Sequence, residues 1–234
     1  MAGSVSDRGW FARAATTVAP DLLGAYLVHR TADGTVALRI TEVEAYDGAN
    51  DPGSHAFRGW TARNATMFGP PGHLYVYRHL GLHHCVNIVC GPAGRAAAVL
   101  LRGGEVIAGA DLALARRRAA GVCRTDRELA RGPARLTVAL GISLADDGAD
   151  LLAPIDAGGF ALFLPLTQDL MHPQCADTPR SDALPTDAEH ISTGPRVGIA
   201  GEGGRADLFP WRFWLTNDPT VSAYRAAPAP RSRP

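Results

Sequence analysis

Seven side chains in this chain could together make a reaction site: Glu42, Glu44, Tyr46, His55, Tyr77, Asn87 and Arg102. Aromatic rings with a histidine and an amide form a slot that stacks a flat heterocycle and reads its edge, while a carboxylate activates water. Successive strand side chains point to opposite faces, so Glu42, Glu44 and Tyr46 would share one face of a strand, with Val43 and Ala45 on the other. Arginine is dense nearby. Arg58 to Arg135 holds twelve arginines against Glu105, Asp111, Asp126 and Glu128, a surplus of eight in a chain of zero net charge with acidic flanks. Such a stretch suits contact with nucleic-acid phosphates, although Arg116 to Arg118 taken alone fit a solvated helix face equally well.

The elements that would hold these residues are legible in outline. Ala14 to Val28 reads as a lead-in with Asp21 capping a short apolar turn, then a strand through Tyr26 to His29. After a turn at Ala32 to Gly34, Thr35 to Tyr46 alternates as a strand. Asp47 to Arg63 is a long polar loop of the kind that carries function. Gly69 to Gly72 forces a turn into the strand around Tyr75, Val76 and Tyr77, where Tyr75 and Tyr77 share a face; Tyr75 reads as core or backbone support, and Tyr77 taken alone fits core and slot equally well. Cys85 to Val89 and Ala96 to Leu101 form a hairpin through Gly91 to Gly94. Glu105 to Ala120 and Asp126 to Leu140 are expected as helices, the second closed by Gly141. Short strands follow at Phe160 to Leu166, Val197 to Ile199 and Trp211 to Leu215, around a Pro- and Asp-rich loop from Thr167 to Pro195. Mixed strands and helices of this kind give an α+β class.

With 234 residues, 46% hydrophobic and 20% charged, the chain can bury one core and is not of the disordered type. One domain is expected over 14–224, between a flexible segment 1–13 and a disordered tail 225–234. The longest apolar runs fall short of a membrane span and no signal peptide is visible, so a cytoplasmic protein is expected. Cys85, Cys90, Cys123 and Cys175 show no C-x-x-C pair, which favours reduced buried thiols over disulfides. Every basic residue is arginine. Chemistry that needs a lysine amine is therefore excluded.

Three segments carry a resemblance: ITEVEAYDGANDPGSHAFRGWTARNATMFGPPGHLYVY (Ile40 to Tyr77), LARGPARLTVALGI (Leu129 to Ile142) and GPRVGI (Gly194 to Ile199). The chain resembles the alkyladenine (3-methyladenine) DNA glycosylase family, in order, over roughly Ala14 to Leu215. The resemblance implies a compact antiparallel sheet flanked by helices, acting as a monomer on double-stranded DNA with damaged purines and needing no cofactor or metal. It implies a monofunctional glycosylase that hydrolyses the bond between base and sugar of alkylated or deaminated purines, in base excision repair. Glu44 matches the general base that activates water, and Arg102 and the backbone of Val197 match the groups that help hold that water. Tyr46, His55 and Tyr77 match the residues around the flipped base, and Asn87 matches an asparagine at the pocket floor that resists a purine 2-amino group.

In one place the chain departs from the vertebrate members of that family. They carry a tyrosine wedge three residues after the pocket tyrosine, whereas this chain has Leu80, followed by Gly81, Leu82, His83 and His84. An aliphatic wedge of Leu80 and Leu82, with His83 beside it near the minor groove, fills the vacated space but stacks less well. Two rival functions are weighed against this one. A catalytically silent damaged-DNA or nucleotide-binding module would share the slot. A metal-dependent nucleotide hydrolase would draw on His73, His79, His83, His84, Cys85 and Cys90. His79 and His83 have H-x-x-x-H spacing, but Gly81 between them disfavours the helix on which that spacing converges, and no C-x-x-C pair completes a site.

Overall fold

The computed structural model describes residues 7–155, 158–164 and 190–228. Nine strands form one sheet among them, β1 (Tyr26–Thr31), β2 (Gly34–Tyr46), β3 (Leu74–His79), β4 (His83–Val89), β5 (Ala98–Ala108), β6 (Ala130–Arg131), β7 (Gly159–Phe163), β8 (Ile191–Gly194) and β9 (Arg212–Leu215). The order is β3-β4-β5-β2-β1-β7, with β6 on β5 and the β8–β9 pair on β2; every pairing is antiparallel. Helices α1 (Arg8–Phe11), α2 (Ala15–Asp21), α3 (Ala110–Ala120) and α4 (Pro133–Leu140) complete the α+β class expected. None of these helices is long and apolar enough to cross a membrane.

The core lies where the apolar positions of β1, β2, β4 and β5 meet α2 and α4: Leu27, Leu38, Ile40, Val43, Ile88, Leu101, Leu136 and Leu140 are all fully buried. The ends of α4 follow from local chemistry. Pro133 at the first helical position needs no hydrogen-bond acceptor for its nitrogen, and Gly141 closes the helix at φ 73°, where a side chain would be strained and would also strike the Arg116 guanidinium at 2.7 Å.

Several expectations need correction. Glu105 to Ala120 is not one helix: β5 runs on to Ala108, because Glu105 pairs with Arg39 across the β2 ladder, and α3 begins only after Gly109. Asp126 to Leu140 is broken at Gly132 and Pro133, since the residue before a proline is driven out of helical conformation. Asp21 ends α2 and pairs with Arg13 instead of capping a turn. Val197 to Ile199 is a turn, and the strand sits earlier, in β8. The packed region also reaches into the expected flexible segment 1–13: Phe11 in α1 is fully buried and Arg8 pairs with Asp150. Residues 165 and 166 of the strand expected over Phe160 to Leu166, and residues 167–189 of the expected Pro- and Asp-rich loop, with Cys175, lie outside the described residues, whereas Cys85, Cys90 and Cys123 are free and buried.

His29 joins β1 to the end of α4. Its Nδ1–H donates to the Leu140 carbonyl at 2.8 Å and its ring stacks on Phe160 at 3.9 Å. Burial lowers its pKa, although the Leu140 carbonyl and Asp146 oppose the shift. The unfolded chain therefore binds the proton more readily. The stability this residue contributes is complete above the unfolded value, about 6.5, and is lost as pH falls through the lower folded value. Urea-denaturation free energies measured between pH 7.5 and 5 should fall in the wild type and fall less in His29→Phe.

Candidate active site

Glu42, Glu44 and Tyr46 do leave β2 on one face, and the sheet is irregular where it meets their partner. The β2–β5 ladder runs Ile40 to Gly104, Glu42 to Gly103 and Val43 to Leu101, passing over Thr41 and Arg102. Such bulges re-aim side chains next to reaction sites. Here Arg102 lies between the two glutamates, its Nε 2.9 Å from Glu42 Oε1 and its Nη1 3.3 Å from Glu44 Oε2.

The two carboxylates, both fully buried, have different surroundings. Glu42 is saturated with donors: Arg102, Arg212 at 2.8 Å, and the backbone and hydroxyl of Ser222 at 2.7 and 2.9 Å. Burial alone would raise its pKa, but the two guanidiniums and the Ser222 hydrogen bonds outweigh burial and hold it below the ordinary carboxylate value. Glu44 accepts from the Val197 N–H at 2.7 Å on Oε1, and from the Tyr46 hydroxyl at 2.9 Å and Arg102 on Oε2. A carboxylate offers about four lone-pair sites, so Glu44 keeps one for a further donor. Burial opposes the Arg102 charge, and Glu44 and Glu42 more than restore it. Tyr46 is held protonated by burial and by the negative charge of Glu44.

The aromatic slot stands beside this carboxylate. Tyr77 meets His55 edge-on at 4.5 Å and stacks with Tyr75 at 5.5 Å. Tyr75 is buried, with its pKa pushed up to about 12 mainly by desolvation, and its hydroxyl lies 3.4 Å from His55 Nδ1. His55 keeps one face open to solvent. Its packed side, with Arg63 and His79, lowers its pKa and favours the neutral ring that can both donate and accept. The loop that carries His55 is fixed by buried Asn64, which accepts from the Thr61 N–H and donates to the carbonyls of His55 and Gly59. Asn87 on β4 is buried and donates to the Tyr75 carbonyl at 3.0 Å. Cys85 lies across the ladder from Tyr77, and burial raises the pKa of both.

Leu80, Leu82 and His83 sit at the tip of the β3–β4 hairpin, beyond Tyr77. The tip closes through the Leu82 N–H and the His79 carbonyl, and Leu80 and Gly81 both have positive φ, 50° and 70°. A leucine in that region is unusual and costs about 1–2 kcal/mol, yet Leu80 and Leu82 are 79% and 77% exposed. Strain and apolar exposure coincide at one place. The histidines and cysteines weighed for a metal do not converge: His73 faces Arg8 and Asp150, Cys90 is buried, and among the described residues no group of three or more His, Cys, Asp or Glu could hold an ion.

Arg196 and Asp51 were not singled out from the sequence, and they form the most buried ion pair of the site. Arg196 donates to both Asp51 oxygens, at 2.5 and 2.6 Å, and to the carbonyls of Ala45 and Gly203. Its guanidinium also lies 4.6 Å from the centre of the Tyr46 ring. With 144 residues between them in the chain, no sequence spacing could have paired the two. Arg212 and Ser222, the other partners of Glu42, were missed for the same reason.

The family model described as methylpurine-DNA glycosylase matches residues 9–219. A Streptomyces avermitilis protein named "Putative 3-methyladenine DNA glycosylase" is 54% identical over 97% of this chain and 94% of its own length. Proteins of the same name from Leifsonia xyli and Nocardia farcinica are 54% and 47% identical, over 95% and 91% of this chain and 93% and 88% of theirs.

Proposed function

This chain belongs to the methylpurine-DNA glycosylase family, and from that premise we propose that it is a monofunctional DNA glycosylase, releasing alkylated or deaminated purines from double-stranded DNA as a monomer without a cofactor. The observation that carries the reading is Glu44: a buried carboxylate with three donors and a free lone pair, beside a slot of aromatic rings.

The damaged nucleotide leaves the helix at a cost of a few kcal/mol, least for damaged or mispaired bases. Its base enters the slot between Tyr46, His55 and Tyr77, with Asn87 at the floor. Leu80 and Leu82 fill the gap it leaves, with His83 alongside. Glu44 orients water against the anomeric carbon and takes its proton as the sugar gains oxocarbenium character. Arg102 and the Val197 amide fix the carboxylate for that task. A cationic alkylpurine departs readily as a neutral base, whereas a neutral base such as hypoxanthine must gain a proton from an acid as it leaves and so leans more on alignment. With no lysine in the chain, a Schiff base could arise only at the N-terminal amine. The product is an abasic site with both strands intact.

The test uses duplex oligonucleotides carrying hypoxanthine, ethenoadenine or a methylated purine. Strand breaks that appear only after hot alkali support the reading; breaks without alkali overturn the monofunctional part. Binding without release from any lesion points to a silent binding module instead. The hairpin tip adds a second expectation. Leu80→Asn relieves the backbone strain, since asparagine tolerates positive φ, but removes the wedge. Release of hypoxanthine from duplex should slow by about tenfold, while release from the same single strand, which has no base steps to part, stays unchanged.

A further inference from the structure

Arg196 is the largest of the fully buried side chains, and the mechanism above gives it no part. A buried ion pair is an expensive way to fasten a loop; apolar side chains of similar volume do so as well or better. What a guanidinium adds is a rigid planar fork and a flat cationic face. Both are used here. The fork grips Asp51 and the Ala45 carbonyl, which lies in the chain between Glu44 and Tyr46. The flat face covers one side of the Tyr46 ring, with Phe209 and Trp211 at 5.5 and 5.4 Å around it. The next peptide carries the Val197 N–H that holds Glu44 Oε1. One side chain thus touches the backbone between the carboxylate and the slot wall, stacks on the wall, and anchors the amide that orients the carboxylate.

We propose that Arg196, clamped by Asp51, is a positioning residue for base release that fixes the Tyr46 ring and the Glu44 carboxylate in one mutual geometry. This rests on the functional reading above and extends it to specificity. A neutral base leaves poorly and needs the water and the slot in register, so it depends on Arg196 more than a cationic alkylpurine does. Arg196 also sets a positive charge behind Tyr46, which disfavours a second cation on the open face of the ring.

Two variants test the proposal. Arg196→Met removes the fork and the charge at similar length. Gly53→Ala leaves Arg196 in place but puts a methyl 2.6 Å from its Nη2 and 3.0 Å from Ile199, so the guanidinium must shift. Misplacement on the scale of an ångström costs about a hundredfold in rate. At saturating duplex, hypoxanthine release should fall by about that factor in Arg196→Met and by about tenfold in Gly53→Ala. The half-saturating DNA concentration should stay within about twofold, and 7-methylguanine release should fall several-fold less than hypoxanthine release. Arg196→Lys, which keeps the charge without the fork, should resemble Arg196→Met. Equal losses for both lesions, or a loss confined to half-saturation, would overturn the proposal, as would wild-type rates in the folded variants. If Arg196→Met does not fold, Gly53→Ala decides. A wild-type protein that releases no base from any lesion overturns the functional reading itself, a different result from an active wild type with indifferent variants.

Discussion

Glu44→Gln is expected to lose base release by a factor of about 10² to 10⁴, the range typical of a positioned general base, while binding lesion-bearing duplex as the wild type does. The carboxamide has nearly the same shape, so the slot and the hairpin tip stay as they are. It cannot take a proton from water, and its NH₂ end must meet a donor. Val197 N–H lies at one oxygen, and the Tyr46 hydroxyl and Arg102 lie at the other. Counting alkali-labile sites under single-turnover conditions, beside a gel-shift titration of the same duplex, separates chemistry from binding. Retention of more than about a tenth of the rate would remove Glu44 from the role of base.

The second large effect falls on stability. Glu42→Gln leaves Arg102 and Arg212, 7% and 5% exposed, facing each other without the carboxylate that now separates their charges. Removing one partner of a buried ion pair costs about 3–5 kcal/mol. The amide also presents donors where the Ser222 N–H and hydroxyl already donate. Urea denaturation at neutral pH should show a loss of that size, and a loss below about 1 kcal/mol would mean the network is replaceable. The acid side gives an independent check. Because the folded pKa of Glu42 is lowered, its contribution is complete above the unfolded value, about 4.3, and is lost as pH falls through the folded one. Wild type should weaken across that window and Glu42→Gln should weaken less.

The parts of the site readable in the sequence are those written at short range. Period-2 alternation placed Glu42, Glu44 and Tyr46 on one face of β2, and the hairpin of β4 and β5 followed from apolar runs around Gly91 to Gly94. Two helical expectations failed because local pattern was outweighed by tertiary pairing. Glu105 joined the ladder opposite Arg39, and Gly132 with Pro133 stopped a helix that the apolar pattern alone would have extended. The ion pairs of the site lie beyond any local signal. Asp51 with Arg196, and Glu42 with Arg212 and Ser222, meet only because β9 and the segments flanking it fold back against β2. The bulge that presents Arg102 is likewise a product of strand register, since nothing in the residues around Thr41 or Arg102 announces it.

The far ends of these contacts also bear on how the protein is made. Glu42 and Glu44 leave the ribosome long before Arg196, Val197, Arg212 and Ser222. A nascent chain can pair β1 with β2 and close the β3–β4 hairpin, yet it holds two buried acids with only Arg102 to balance them. The carboxylate is oriented only after Val197 has been made, so a product truncated before that residue would carry the Tyr46, His55 and Tyr77 side chains with Glu44 lacking its amide donor.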